Sequence, residues 1–223
     1  MVLRASEANM KRISEKIERR VGQKLGLKAE RCASPKCALT RRPTPPGVHG
    51  SSRSRRRPTE RGIQMLEKKK VAALYGLSAR TLKNVFAVAR TTAGSKKGMR
   101  NVVDVVVEML ERRLDSVVWR LGLAPSRMVA RQLVSHGHII VNARKVDIPS
   151  FLVSVGETVS VKPESRTSPL FKNLERTLPK HQPFSWLKLN ANEFSGTLIS
   201  SPLREEASVP VDLPKIAELY AGS

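Results

Sequence analysis

The chain has 223 residues, with 41 Lys+Arg and 19 Asp+Glu, and its formal net charge is +22. This length holds one or two domains, and an apolar content of 40% supports a folded protein rather than a disordered one. No apolar run reaches the ~18 residues of a membrane span. Two cysteines are too few for a disulfide framework, and the N-terminus lacks the apolar core of a secretory signal, so we expect a reducing compartment. The cytoplasm fits best, and an organelle is the alternative.

The positive charge is concentrated in the first hundred residues. Residues 1–100 contain 26 Lys+Arg and 6 Asp+Glu, a net charge of +20, whereas residues 101–223 contain 15 and 13, a net charge of +2. So basic a half predicts a polyanionic partner, bound with counterion release and weakened by salt. Nucleic acid fits best. An anionic membrane surface is the alternative, but the sequence lacks an aromatic-rich amphipathic helix.

Residues 1–58 read as a basic N-terminal arm, helical at first and irregular from residue 31. Five prolines and two glycines in residues 31–58 exclude a continuous helix or strand there. Such a segment orders against a partner, and arginine forks match phosphate oxygens. The candidate phosphate contacts of the arm are therefore Arg41, Arg42, Arg53, Arg55, Arg56 and Arg57, with His49 as a contact or loop residue.

Residues 59–98 predict a helical hairpin followed by a basic linker. Thr59 and Ser78 are candidate N-caps. Leu82, Val85 and Phe86 recur at helical spacing, which indicates a buried face. The candidate phosphate contacts of this hairpin are Lys68, Lys69, Lys70, Arg80 and Lys83.

The chain from residue 99 onward predicts an α+β domain with two short helices on a small, mostly antiparallel sheet. One helix ends at Gly122, and the next begins at Ser126. Strands at Ile139–Val141 and Val146–Ile148 flank a turn, and residues 153–161 alternate with period two. A tight turn at Asn142-Ala143 would need positive φ, which costs a non-glycine residue about 1 kcal/mol; another turn type is the alternative.

Residues 112–150, RRLDSVVWRLGLAPSRMVARQLVSHGHIIVNARKVDIPS, closely resemble the S4 RNA-binding domain, named after a ribosomal protein. Folded RNA is recognised largely through phosphate, 2′-OH and shape, which suits a rigid basic platform. We expect Arg120, Arg127 and Arg131 to form one cationic face. The RNA-binding residues that the resemblance implies are Arg113, Arg120, Ser126, Arg127, Arg131, Gln132, His136, His138 and Asn142. His136 and His138 flank Gly137 at a helix end, and capping that end is the alternative to a phosphate contact.

The flanking segments resemble the ribosomal protein S4 family itself. The matching motifs are ERCASPKCAL (30–39), RRPTPPGVHG (41–50), EKKKV (67–71), YGLS (75–78) and the ending from Gly196 to Tyr220. The resemblance implies a structural component of the small ribosomal subunit that binds the 5′ part of small-subunit rRNA early in assembly. It also implies a place near the site where mRNA enters, beside a ribosomal protein whose interface affects decoding accuracy.

The resemblance also implies a domain order, because the family's S4 domain is inserted into a helical domain. We therefore expect an arm at 1–58, a discontinuous helical domain at 59–98 with 167–223, and an S4 domain at 99–166 with its core motif at 112–166. This sequence departs from the family at Ala143, where glycine usually follows the asparagine.

A second departure concerns metal binding. Many family members carry an upstream Cys-x-x-Cys that completes a four-cysteine zinc site, but this chain has only Cys32 and Cys37. Glu15 and Glu18 stand where the first pair would lie. Two thiolates are a poor structural zinc site, so we expect a metal-free arm without a cofactor; completion of a site by Glu15 and Glu18 is the alternative.

Enzymatic function is the remaining alternative, because S4 domains also occur in pseudouridine synthases and tRNA synthetases. Arg113-Leu114-Asp115 resembles the synthase's catalytic triplet. Here Leu114 follows the apolar spacing of a helix, so we expect Asp115 to pair with a nearby arginine. The sequence contains no P-loop, no GxSxG motif and no accompanying catalytic domain, so we expect a non-enzymatic protein.

Aromatic residues make up only 4% of the chain, which argues against base stacking as the main binding mode. We therefore expect binding through phosphate contacts, with Trp119 in or beside the core.

Overall fold

The computed structural model describes residues 15–51, 59–95, 100–168, 171–172 and 174–221. They form two compact units: the first comprises the described residues as far as Val106 and those from Val209 onward, and the second is Val107–Ser208. The helices in these ranges are too short or too polar to cross a bilayer.

The helices are α1 (Lys16–Val21), α2 (Ala29–Ala33), α3 (Ala38–Arg41), α4 (Glu60–Leu74), α5 (Ala79–Ser95), α6 (Val102–Glu111), α7 (Leu114–Arg120), α8 (Arg127–Ser135), α9 (Leu174–Thr177), α10 (Arg204–Ala207) and α11 (Leu213–Ala221). Short 3-10 turns occupy Val48–Ser51, Pro163–Ser165 and Leu178–Lys180. The strands are β1 (Ile139–Val141), β2 (Arg144–Lys145), β3 (Thr158–Val161), β4 (Leu187–Asn190) and β5 (Ser195–Leu198).

The first unit is built on helices α4, α5 and α11. The predicted caps are present: the Gly62 N–H donates to the Thr59 hydroxyl (3.2 Å), and the Thr81 N–H donates to the Ser78 hydroxyl (3.0 Å). Ring centroids of Phe86 and Tyr220 lie 5.1 Å apart and join α5 to α11. The buried side chains of this core include Val71, Leu74, Leu82, Phe86, Ala89, Ile216 and Tyr220.

A buried carboxylate fixes the point at which the C-terminal helix begins. One oxygen of Glu67, on α4, accepts the N–H of Asp212 (3.1 Å), the residue before α11. Its other oxygen pairs with Lys70 Nζ at 2.5 Å. The first N–H groups of a helix have no partner inside it. The Glu67 carboxylate therefore satisfies one of these donors, and its negative charge interacts favourably with the positive end of the helix dipole.

The second unit contains an antiparallel sheet in the order β2-β1-β3-β5-β4. Ile139, Val141, Val159 and Val161 are buried at alternate positions, as the period-two pattern predicts. A side chain at Gly196, on β5, would collide with Leu121, so the sheet packs closely on the end of α7. The predicted α+β fold, with two short helices and a small antiparallel sheet, is confirmed.

The boundaries between the units differ from those expected. We expected residues 99–166 to form the inserted domain and residues 167–223 to return to the helical domain. Residues 167–208 instead belong to the second unit, because β5 pairs with β3 (Val159 opposite Gly196) and β4 pairs with β5. On the N-terminal side, the boundary falls inside α6.

The β1–β2 connection is a tight two-residue turn. The second strand is Arg144–Lys145 rather than the predicted Val146–Ile148, and Val141 pairs with Arg144. Asn142 and Ala143 have φ values of 46° and 65°, which is the backbone of a type I′ hairpin turn. The alternative of another turn type is thus excluded, and Ala143 carries the steric cost of a left-handed conformation.

Ala143→Gly is expected to raise the free energy of unfolding of the second unit by about 1 kcal/mol, because glycine removes that steric cost. Urea unfolding followed by tryptophan fluorescence measures it, since both tryptophans, Trp119 and Trp186, lie in this unit. As a control, Ala130→Gly inside α8 should lower stability by about 1 kcal/mol. An Ala143→Gly variant no more stable than the wild type would contradict the prediction.

Candidate RNA-binding surfaces

Helix α5 presents a row of cations to solvent in the first unit. Arg80, Lys83 and Arg90 are exposed, whereas Leu82 and Phe86 of the same helix are buried. The helix contains no acidic residue that could neutralise them. Two of the three cations were predicted as RNA contacts, and the structure presents both to solvent.

The three consecutive lysines of α4 have different surroundings. Lys69 is exposed. Lys68 is half-buried, with its Nζ 4.8 Å from the centroid of the Tyr220 ring, a cation–π contact. Lys70 is paired with Glu67, and its side chain is 13% exposed. The charge of Lys70 thus stabilises a buried carboxylate within the unit, and its contact with RNA stays a prediction.

The basic arm keeps its described arginines at the surface. Arg41 and Arg42 are exposed at the end of α3, and His49 is exposed in a 3-10 turn. Arg19 Nε donates to the carbonyls of Arg42 (2.9 Å) and Thr44 (3.1 Å), which fixes the backbone beside these cations. The predicted contacts Arg53, Arg55, Arg56 and Arg57 lie outside the described residues.

Arg120, predicted to face RNA, is buried in the second unit. Its Nε and Nη2 donate to the two carboxylate oxygens of Glu111, at 2.8 Å each, and Nη2 also donates to the Ala207 carbonyl (2.7 Å). The guanidinium lies 4.3 Å from the Phe184 ring centroid. Since only 7% of Arg120 is exposed, the prediction that it forms part of an RNA-facing surface is wrong.

Glu111 also holds Arg127, so the expected cationic face of Arg120, Arg127 and Arg131 does not exist as one open surface. Arg127 Nη2 donates to Glu111 Oε1 (3.0 Å), and its guanidinium lies 3.9 Å from the centroid of the half-buried Trp119 ring. The spacing of Arg127 and Arg131 indicated that their side chains share one face of α8. It did not reveal that the Glu111 carboxylate, at the end of α6, binds Arg127 there.

Arg113 and Asp115 form a second buried pair. Arg113 Nε and Nη2 donate to the two Asp115 oxygens at 3.0 and 2.7 Å, and both residues are buried. Arg131 Nη1 lies 3.7 Å from the same carboxylate and is partly exposed. Asp115 thus pairs with arginine as expected, whereas the prediction that Arg113 binds RNA is wrong because its guanidinium is enclosed.

Two further predicted contacts serve the local backbone. The Ser126 hydroxyl is buried and accepts the Val129 N–H (3.3 Å), so it caps α8. Asn142 Oδ1 accepts the Thr158 N–H (2.9 Å), while the Asn142 N–H donates to the Thr158 carbonyl (2.9 Å). Ser126 is therefore corrected from an RNA contact to a helix cap, and the exposed Asn142 holds its turn to β3.

The polar residues at the end of α8 are more accessible. Gln132 and His136 are exposed, in keeping with a binding role. His138 is half-buried, and its Nδ1 lies 3.0 Å from the Ser165 hydroxyl. His138 therefore has a partner within the unit, while the other two side chains face solvent.

Two cations on β2 were not among the predicted contacts. Arg144 and Lys145 are both exposed, and the Lys145 side chain lies over Gly137, next to His136. We name His136, Arg144 and Lys145 the β2 surface. Two adjacent cations directly after a turn could have indicated this surface. They were assigned to the turn because the strand was expected at Val146–Ile148, two residues later.

The two cysteines of the arm have different surroundings. Cys32 Sγ accepts the Lys28 N–H (3.3 Å) and lies 3.7 and 3.8 Å from the two Glu18 oxygens. Burial raises the pKa of the Cys32 thiol, whereas a hydrogen bond from the Thr40 backbone lowers the pKa of Cys37. The sulfurs thus have different partners, and no group of three or more His, Cys, Asp or Glu in the described ranges is arranged to hold a metal ion.

Comparison with known proteins covers most of the chain. Residues 9–111 match the family described as "Ribosomal protein S4/S9 N-terminal domain", and residues 112–159 match "S4 domain". "Small ribosomal subunit protein uS4" of Desulfitobacterium hafniense (strain DSM 10664 / DCB-2) is 46% identical over 207 residues, which are 91% of this chain and 94% of that protein. The proteins of that name from Halothermothrix orenii and Thermus thermophilus are 45% and 43% identical, each over 203 residues with the same coverage.

The two family matches adjoin at residues 111 and 112, and the relatives cover nine-tenths of the chain. The expected resemblance is confirmed, and with it the prediction of a structural, non-enzymatic protein carrying an RNA-binding S4 domain. The chain belongs to the uS4 family of small ribosomal subunit proteins.

Proposed function

We propose that this chain binds the 5′ part of small-subunit rRNA early in subunit assembly, chiefly through phosphate contacts. The exposed row of Arg80, Lys83 and Arg90 on the acid-free helix α5 carries this proposal. Cations on one side of a rigid helix suit a folded RNA, whose phosphates set the register of a bound protein. The exposed Arg41 and Arg42 extend the positive surface of the first unit.

The second unit supports the proposal with a smaller surface. The β2 surface and Gln132 offer cations and hydrogen-bond donors. Phe86, Tyr75 and Trp186 are buried, and Trp119, Phe151, Phe184 and Phe194 are only partly exposed, so the described aromatic side chains offer little open surface on which bases could stack. Phosphate and 2′-OH contacts are the remaining mode for such a surface.

Replacing Arg80, Lys83 and Arg90 together by alanine is expected to weaken binding of the full chain to a 5′-domain rRNA fragment. The slope of log K against log salt should become shallower by about 2–3, because each lost phosphate contact contributes about 0.7–0.9 to it. Filter binding or fluorescence anisotropy across a salt series measures both the affinity and the slope.

A charge-matched control replaces the exposed Lys172, Arg176 and Lys180 of the second unit by alanine. This control loses the same charge but should retain most of the wild-type slope of log K against log salt. Equal slopes for both triple variants would show that only total charge matters and would contradict a site on α5. Tighter binding to anionic vesicles than to the rRNA fragment would favour the membrane alternative.

We further propose that, in a cytoplasmic ribosome, the chain lies near the site where mRNA enters the small subunit. There it contacts a neighbouring ribosomal protein whose interface affects decoding accuracy. Exposed apolar side chains of the second unit support the protein contact. The Gly156 N–H donates to the Leu198 carbonyl (2.7 Å), so the exposed Val155 and Ile199 lie in neighbouring segments.

A further inference from the structure

The arm contains a carboxylate, Glu18, that is completely buried. Its Oε1 accepts the backbone N–H groups of Leu25 (2.9 Å) and Leu27 (3.4 Å). Because a buried carboxylate is costly without hydrogen-bond donors, these two bonds both stabilise the charge and pull the loop after α1 back onto its own helix. Gly22, in the left-handed conformation (φ 73°), begins that loop.

The same carboxylate reaches the next helix through a thiol. Cys32 lies on α2, and its Sγ lies within 3.8 Å of both Glu18 oxygens. The Lys28 N–H donates to this sulfur. A single carboxylate thereby joins α1, the loop at 22–28 and α2.

The second acid of the segment, Glu15, has cationic partners. Lys28 Nζ lies 3.3 Å and Arg31 Nε 3.0 Å from its Oε1. The Glu15 side chain is only 10% exposed, whereas those of Lys28 and Arg31 are 46% and 54% exposed, so solvent partly screens these pairs. Two cations this close oppose the approach of a divalent ion.

We propose that Glu18, assisted by Glu15, replaces a metal ion as the organising centre of residues 15–37. Glu18 contributes hydrogen bonds to Leu25, Leu27 and Cys32, and Glu15 contributes ion pairs to Lys28 and Arg31. This segment accordingly folds without metal. The proposal concerns folding of the arm and stands independently of the proposed RNA site on α5.

The test uses the full-length protein, purified without added metal. Elemental analysis should find zinc at well below one atom per chain, and neither EDTA nor added zinc should change hydrogen exchange of the amides in residues 22–32. In Glu18→Ala, exchange at Leu25 and Leu27 should accelerate about tenfold or more, because each amide loses a charged acceptor.

Glu60→Ala is the matched control, since Glu60 is exposed in the first turn of α4, and it should leave exchange in residues 22–32 unchanged. Glu18→Gln keeps one acceptor oxygen and should accelerate exchange less than Glu18→Ala. It serves as the deciding variant if Glu18→Ala does not fold. Stoichiometric zinc, protection that EDTA removes, or amide exchange indifferent to both Glu18 variants would each overturn the proposal.

Discussion

Replacing Glu111 by alanine is expected to lower the free energy of unfolding of the second unit by about 3–5 kcal/mol, the usual cost of removing one partner from a buried ion pair. Glu111 is enclosed and bonds both Arg120 and Arg127. Without it, Arg120 keeps its bond to the Ala207 carbonyl but loses both carboxylate acceptors. Because Arg120 is almost entirely enclosed, water cannot readily replace the lost hydrogen bonds.

The measurement is urea unfolding followed by tryptophan fluorescence, because Trp119 and Trp186 both lie in the second unit. Glu164→Ala is the control: its side chain is 78% exposed and pairs with Lys162 at the surface, so its loss should cost no more than about 1 kcal/mol. Adding Arg120→Met to Glu111→Ala should recover part of the loss, since the unpaired charge is then removed. A Glu111→Ala cost no larger than that of the control would contradict this role.

Features specified by neighbouring residues could be predicted from the sequence. The helical hairpin of the first unit follows from caps at Thr59 and Ser78 and from the spacing of Leu82 and Phe86, all of which act within a few residues. The alternation that buries Val159 is equally local. For the same reason, the exposed cations of α5 could be identified in advance, since they fall outside the apolar positions of the helix.

Features that depend on distant partners could not be predicted in the same way. Spacing placed Arg120 on a helix surface, but its burial depends on Glu111 and on the Ala207 carbonyl, 87 residues away. The predicted unit boundary was wrong for a similar reason, because the pairing of β5 with β3 joins segments separated by more than 30 residues. Not all basic residues of a basic protein are available to RNA. Only the tertiary structure distinguishes the exposed cations from those that are paired inside the fold.

The turn at Asn142-Ala143 is an intermediate case. The sequence identified the position and the steric cost, but alanine in place of glycine left the turn type open. The structure retains the tight turn because Asn142 is bonded to Thr158 on β3 and so stabilises the left-handed backbone. This geometry also puts Arg144 and Lys145 on the exposed strand, where the β2 surface was missed.

Asp115→Ala is expected to lower the free energy of unfolding of the second unit by about 3–5 kcal/mol, for the same physical reason. Asp115 accepts two bonds from the buried Arg113 and one from the Ser116 N–H (2.9 Å). It lies in the first turn of α7, where its negative charge also interacts favourably with the positive end of the helix dipole. Its removal leaves Arg113 enclosed without its carboxylate and takes a partner from Arg131.

Asp147→Ala, at an exposed position of the same unit, is the control and should change stability by about 0.5 kcal/mol or less. Asp115→Asn keeps an acceptor for the Ser116 N–H but removes the charge. It should therefore lower the free energy of unfolding by less than Asp115→Ala and by more than Asp147→Ala. Unfolding monitored by tryptophan fluorescence measures all three. A catalytic aspartate would behave differently, because its asparagine variant would lose turnover on RNA at an unchanged unfolding midpoint. Arg113-Leu114-Asp115 is a packing motif here because its two charged side chains pair with each other inside the unit.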